Sequence, residues 1–273
     1  MSADVRSDCG RAVDELVAGA RDFGVELDAA QQRSFARYCD LLREVGQHTN
    51  LTAIKGASEI MRILFLDSLS LTVPLRHHIG ELECANLRVV DIGSGAGIPG
   101  MPLKLTYPAW EVTFVESVGK KARFIASVAQ DLGLSGVVVE PRRAEDLARE
   151  GAYRDAHDVV VARAVAPLAT LLELCAPFVR QGGIMLFPKS EGVSQEVREA
   201  AGAARALRTG GASIDPVPGT GLLEAGHVIV RYEKLGRTPP AFPRRVGLAK
   251  SQPIGAASVE ATARPPRGRR GQP

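Results

Sequence analysis

One segment constrains this chain more than any other: Val89-Val90-Asp91-Ile92-Gly93-Ser94-Gly95-Ala96-Gly97-Ile98-Pro99-Gly100. Val89, Val90 and Ile92 read as a buried strand, and glycines then recur at every second position. Pro99 suits the first turn of a following helix. A strand that runs through glycines into a helix lets the backbone turn sharply and lets a ligand lie against it without intervening side chains. Residues 95–100 also satisfy G-x-G-x-x-G, so a dinucleotide site is one reading.

The flanking sequence alternates strand and helix. Runs rich in branched residues predict strands at Leu87–Ile92, Val112–Glu116, Val137–Glu140, Asp158–Ala162 and Gly183–Phe187. Amphipathic stretches predict helices at Pro99–Thr106, Lys120–Leu132, Leu168–Val179 and Gly192–Ala206. Such βαβ alternation implies an α/β fold with a mostly parallel sheet covered on both faces. Ser213–Val217 and Val228–Tyr232 are separated by a Gly/Pro-rich turn with no helix, and so read as a closing antiparallel hairpin. Three regions follow: a helical extension over 1–80, a Rossmann-like domain over 81–236, and a basic Pro/Gly/Arg-rich tail over 237–273, expected to be at least partly disordered. In the extension, Asp28 reads as the N-cap of a helix reaching about Gly46, with Phe35, Tyr38, Leu41, Leu42 and Val45 on one face. Shorter helices are expected around Ala57–Phe65 and Asp67–Arg76.

Asp91 to Gly97 spells Asp-x-Gly-x-Gly-x-Gly, which resembles motif I of the Rossmann-like S-adenosylmethionine-dependent methyltransferases. That resemblance implies a seven-stranded sheet whose last strand is antiparallel, and cofactor contacts from Asp91, Gly93, Ser94, Gly95 and Gly97. No second catalytic domain remains for a nicotinamide or flavin enzyme. Glu116 ends the second strand, where a carboxylate can accept both ribose hydroxyls of an adenosyl group; a solvated strand-end acid is the alternative. Arg143-Ala144-Glu145-Asp146 follows the third strand. By resemblance the backbone of Ala144 and Glu145 contacts the adenine ring; a cluster of helix-capping residues is the alternative.

A collinear set of further stretches resembles the RsmG/GidB family of small-subunit ribosomal RNA guanine-N7 methyltransferases. These are Asn50-Leu51-Thr52-Ala53-Ile54, Leu66-Asp67-Ser68-Leu69, Glu116-Ser117-Val118-Gly119-Lys120-Lys121 with Arg123-Phe124, Ala162-Arg163-Ala164-Val165-Ala166-Pro167-Leu168, and Phe242-Pro243-Arg244-Arg245-x-Gly247. Two positions depart from the family pattern: Leu64 stands where a histidine is usual, and Ser190 follows Lys189 where a glycine is usual. The resemblance implies methylation of guanosine 527 in 16S ribosomal RNA, with naked RNA or the small-subunit particle as substrate. A small-molecule methyltransferase on the same fold, or a non-catalytic RNA-binding protein, are the competing readings.

Guanine N7 offers a lone pair and no proton, so attack on a sulfonium methyl needs no general base. No Asn/Asp-Pro-Pro-aromatic motif and no Pro-Cys nucleophile is present, and Cys175 lies inside an expected helix. Catalysis would rest on alignment and desolvation. Arg163 and Lys189, each just after a strand, are the candidate catalytic residues. They would hold guanine O6 or flanking phosphates and leave N7 free, and Arg163 is also a candidate cofactor contact. The alternatives are a helix-entry ion pair for Arg163 and a solvated loop charge for Lys189. Arg244 and Arg245 are candidate RNA contacts, as are Lys120, Lys121 and Arg123, although the last three fit a solvated helix face equally.

Charge is uneven. After residue 236 there are eight basic residues against Glu260 alone, while the whole chain carries +3, so an acidic body bears a basic tail. A basic tail suits a polyanion. The cysteines Cys9, Cys39, Cys84 and Cys175 form no C-x-x-C pair, which predicts neither a metal site nor a disulfide framework. No stretch approaches the roughly 18 apolar residues of a membrane span. The first ten residues carry Asp4 and Asp8 and no apolar core, so no secretory signal is expected. A cytoplasmic monomer without a metal is therefore the expectation.

Overall fold

Strand β1 (Arg88–Ile92) lies between β2 (Glu111–Val115) and β4 (His157–Val161) in a computed structural model that describes residues 7–46, 51–80, 86–219, 221–223 and 226–255. Val90 registers with Thr113 on one side and with Val160 on the other, both in parallel. Beyond β2 is β3 (Val137–Glu140). Beyond β4 come β5 (Val179–Ser190), β7 (His227–Glu233) and, at the edge, β6 (Ser213–Pro216). The order is β3-β2-β1-β4-β5-β7-β6, and β7 runs antiparallel to both neighbours. The β6–β7 link carries no helix, so its return leg reverses direction. The chain thus winds outward from β1 both ways, and the crevice at the carboxyl ends of β1 and β4 is the switch point where open α/β sheets bind ligands.

Strand alternation divides the core. Val89, Val112, Phe114, Val159, Val161, Ile184 and Leu186 turn to one face, with the amino-terminal helices, α6 (Gly100–Thr106) and α7 (Gly119–Asp131). Val90, Ile92, Val115, Val160, Met185 and Phe187 turn to the other, with α8 (Ala144–Leu147), α9 (Leu168–Cys175) and α10 (Ser194–Ala206). This is the period of two expected of strands buried on both faces. The expected Leu168–Val179 helix stops at Cys175. Pro177 cannot continue an α-helix, so a 3₁₀ turn over Ala176–Phe178 leads directly into β5.

The amino-terminal helices are α1 (Asp8–Asp22), α2 (Ala29–Gly46), the short α3 (Ala57–Glu59) running through a π-helical segment (Ile60–Leu66) into α4 (Asp67–Leu69), and α5 (Thr72–Ile79). A reciprocal capping box starts α2. Asp28 Oδ1 accepts from the Ala30 and Gln31 amides, and Gln31 Oε1 accepts from the Asp28 amide. Gln31 Nε2 also donates to the carbonyls of Leu105 and Thr106, at 3.2 and 2.8 Å. One side chain thereby begins α2 and ends α6, fixing the extension against the glycine segment.

One expectation is corrected. Cys9 and Cys39 form a disulfide joining α1 to α2, with Cα atoms 5.9 Å apart. Their separation of 30 residues hides a proximity that arises only when the two helices pack. Residues 237–255 do not trail away from the body. They lie against α8, α9 and α10 and include a short helix, α11 (Leu248–Ser251). Asn50, Cys84 and the arginines at 264, 267, 269 and 270 fall outside the described residues. Among the described residues no helix is long and apolar enough to cross a membrane.

Candidate active site

The loop after β1 is shaped by three left-handed glycines: Gly93, Gly95 and Gly97 have φ of +69°, +60° and +97°. At Gly93 a side chain is excluded for a second reason, since a Cβ there would meet Val165 Cγ2 at 2.8 Å. The Gly93 and Ser94 amides donate to Val115 O at the end of β2, and Ser94 Oγ donates back to Asp91 O at 2.9 Å. The extension holds the far side. The hydroxyl of Tyr38, on α2, donates to Ala96 O at 2.7 Å, and its ring stacks on Phe65 at 4.9 Å. Burial pushes the Tyr38 hydroxyl well above its ordinary pKa, so it stays a donor. Tyr38→Phe is expected to cost about 1–2 kcal/mol, because a buried carbonyl loses its partner. Urea unfolding checks this, and cofactor affinity should fall several-fold as the loop loosens.

Two carboxylates flank the loop. Asp91 is fully buried; its Oδ2 accepts from the Gly100 amide at 2.9 Å, while its Oδ1 has no partner among the described residues. A Cβ on Gly100 would sit 2.8 Å from Asp91 Oδ2, so only glycine admits this contact. Burial, with a smaller contribution from the charge of Glu116, pushes the Asp91 carboxyl up to about 7, against the lowering effect of the Gly100 amide. Glu116 is 6% exposed and accepts from the Gly95 amide at 2.9 Å and the Val118 amide at 2.7 Å. Ala144 and Glu145 begin α8, next to the end of β3, and both are buried. Glu145 Oε1 accepts from the Gly247 amide at 3.0 Å.

Arg163 follows β4, directly across the crevice from the glycine loop. Its Nε lies 3.3 Å from Asp67 Oδ2, its Nη2 donates to Ile63 O at 2.8 Å, and its Nη1 is buried without a partner among the described residues. Ala164 has φ of +53°, a left-handed conformation rare for a residue with a side chain. Asp67 is itself 4% exposed, and its second oxygen takes His227 Nδ1 at 2.9 Å. Arg163 and Ala164 separate two cavities. One, of about 300 Å³, is lined by Gly93, Ser94, Gly95, Leu64 and Lys121. The other, of about 230 Å³, is lined by Asp67, Lys189, Ser190 and His227.

The remaining predicted residues fare differently. Lys189 is not a solvated charge: its Nζ donates to Glu196 Oε1 at 2.7 Å and to Ala166 O at 3.4 Å. Arg244 is turned inward. It forks onto Glu173, which is 1% exposed, and its backbone amide donates to the same carboxylate at 3.0 Å. A buried carboxylate offering both oxygens is the partner that planar guanidinium geometry fits best. Arg245, Lys120 and Arg123 are exposed, and Lys121 reaches the glycine-loop cavity. Sequence reasoning assigned no role to Asp67, His227, Glu196, Glu173 or Tyr38. Asp67 did carry a signal, being the single acid in the otherwise largely apolar run Ile60–Leu75. His227 carried none, since its place opposite Asp67 depends on how β7 inserts into the sheet. Cys175 is fully buried and its thiol is pushed well above its ordinary pKa by that burial, so it is no nucleophile.

The unpartnered oxygen of Asp91, the glycine-only approach to it and the adjacent Glu116 fit a ligand bearing both positive charge and an adenosyl group. With this strand order, they define a Rossmann-like, S-adenosylmethionine-dependent methyltransferase. The comparisons resolve the class further. The family model described as rRNA small subunit methyltransferase G (GidB) matches residues 31–214. A relative of that name from Roseiflexus castenholzii is 41% identical over 244 residues, covering 89% of this chain and all of the relative. Another from Limosilactobacillus fermentum is 39% identical, covering 85% and 94%, and one from Moorella thermoacetica is 39% identical, covering 88% and 97%. The chain belongs to the rRNA small subunit methyltransferase G family.

Proposed function

We propose that this chain methylates N7 of a guanine in 16S ribosomal RNA, at guanosine 527, by direct displacement. The observation that carries the reading is the pair of cavities meeting at Arg163 and Ala164, at the carboxyl edge of β1 and β4. One side offers the glycine cradle with Asp91 and Glu116; the other offers cations and a histidine held on buried Asp67. When bound, the cofactor supplies an electrophilic methyl on a sulfonium.

Guanine N7 offers a lone pair and carries no proton, so no residue of the chain would need to act as a general base toward a methyl donor held by the glycine cradle, Asp91 and Glu116. The chain's residues therefore position and desolvate rather than abstract. Arg163, held by Asp67 and Ile63 O, keeps a buried Nη1 for guanine O6, leaving N7 to react. Bidentate use of O6 and N7, the common arginine contact, would block the nucleophile. Lys189 lies beside the same cavity and serves the flanking phosphate in exchange for Glu196. Arg245, Lys120, Lys121 and Arg123 contribute the salt-dependent contacts to the RNA backbone.

Methyl transfer from labelled S-adenosylmethionine to small-subunit RNA lacking the modification tests this, using naked RNA and intact particles. Nuclease digestion and mass spectrometry should find N7-methylguanosine at one site. Label at another atom would overturn the N7 reading. Cofactor binding with no label in either form of RNA would remove the RNA reading and turn the search to small metabolites.

A further inference from the structure

Residues 242–251 form a strap across α8 and α9, fastened along its length. Arg154 Nη1 donates to Phe242 O at 2.8 Å, and Arg149 Nη2 donates to Pro243 O at 2.6 Å. Arg244 forks onto Glu173, the Gly247 amide donates to Glu145 Oε1 at 3.0 Å, and Thr170 Oγ1 donates to Ala249 O at 2.9 Å. Beneath the strap is a cavity of about 680 Å³ lined in part by Arg143, Glu145, Val165, Leu174, Val246 and Lys250.

This volume is ordinary for a small-ligand pocket. Its position is specific. Val165, one wall of the cavity, is also the residue whose Cγ2 would lie 2.8 Å from a Cβ on Gly93, so this wall touches the glycine loop. Glu145, another wall, is 8% exposed and belongs to the segment after β3 that the reading above places beside the adenine. Apolar walls at Val165, Leu174 and Val246 suit a flat heterocycle, and a buried carboxylate suits its amino group.

We propose that the strap is the outer wall of the adenosyl pocket, and that the Gly247 N–H holds the Glu145 carboxylate where it receives the exocyclic amine of adenine. This rests on the cofactor reading above. It gives the end of the chain a cofactor-binding role distinct from RNA contact. Gly247 is the adjustable point. Its φ is +85°, and no atom of the described residues lies within 4 Å of a Cβ placed on it. Proline there would remove the donor and cannot adopt that φ, whereas asparagine keeps the donor and tolerates the left-handed region.

The test is calorimetric titration of the full chain with S-adenosylhomocysteine and with S-inosylhomocysteine, in which oxygen replaces the adenine amine. Thermal melts confirm that each variant is folded. Wild type should prefer the adenosyl compound. Gly247→Pro should bind it about tenfold more weakly, as for a lost charge-assisted hydrogen bond, and should lose most of the preference. Gly247→Asn should keep both within about threefold, the cost of a non-glycine residue at positive φ. Val246→Ala, which trims the wall alone, should weaken both compounds alike. Unchanged affinity in Gly247→Pro, with RNA methylation lowered, would overturn the proposal and assign the strap to RNA. Affinity lost equally for both compounds, with the preference intact, would overturn the role given to Glu145. Wild type that binds neither compound would overturn the cofactor reading itself.

Discussion

Arg163→Ala is expected to lower single-turnover methyl transfer at least a hundredfold, the usual scale for losing a residue that aligns reacting atoms. It is also expected to destabilise the fold by about 3–5 kcal/mol, because Asp67 would be left buried without its guanidinium partner. His227 Nδ1 remains on Asp67 and softens that penalty. The two effects are separable. In the Asp67→Asn/Arg163→Ala double variant the stranded charge is gone, so stability measured by urea unfolding should recover substantially, while transfer should not. Arg163→Lys keeps the charge but cannot reach Asp67 and the Ile63 carbonyl together, so its rate should stay near that of the alanine variant. A folded Arg163→Ala protein that methylates at the wild-type rate would remove Arg163 from the mechanism.

Asp91→Asn should strengthen the cofactor-free fold and weaken cofactor binding at the same pH. In the folded chain the Asp91 carboxyl holds its proton up to about pH 7, against an ordinary value of 3.8. Between those values the folded state binds more protons than the unfolded state, so the contribution of Asp91 to stability falls as pH rises through this window and levels off above it. At about 1.4 kcal/mol per pH unit, the loss amounts to roughly 4 kcal/mol at most. Melting curves of the free protein from pH 5 to pH 8 should therefore decline less steeply in Asp91→Asn.

Cofactor binding has the opposite sign. A cationic ligand beside the unpartnered Oδ1 favours the carboxylate, so binding releases a proton below pH 7. Wild-type affinity should then climb by up to about tenfold per pH unit before reaching a plateau. Asp91→Asn should show no such climb, and near pH 8 should bind roughly 10–100-fold more weakly, for want of one charge-assisted bond. The same pH slope in both proteins would show that another group releases the proton.

The parallel sheet was legible because its strands are buried on both faces. Runs such as Val89–Ile92 and Val159–Val161 leave little choice of structure; Gly93 follows the first directly, and Arg163 follows the second after Ala162. The glycine loop was legible for a local reason: left-handed φ values and close approach to Asp91 and Val165 demand glycine wherever the loop goes. The length of β5 and the early end of α9 were less legible. Pro177 marks the break, but pairing with β4 and β7 decides how far the strand extends.

Charged side chains were the hardest to read, because charge shows on paper and its partner does not. Arg244 in a basic tail looked like an RNA contact, yet Glu173 lies 71 residues earlier and claims it. Lys189 looked like a contact to guanine O6 or a flanking phosphate, with a solvated loop charge as the alternative, and no local pattern showed that Glu196 holds it. Sequence alone determined the class of fold, the glycine cradle with Asp91 and Glu116 beside it, and the likeness to rRNA small subunit methyltransferase G, because these depend on residue type and short spacing. Only the tertiary structure decided that Tyr38 props the loop, that Asp67 joins His227 to Arg163, that Cys9 meets Cys39, and that the segment around Gly247 lies over Glu145. Each of those joins residues at least 30 positions apart. Long-range pairs of this kind are set by how buried faces pack, which local pattern does not encode.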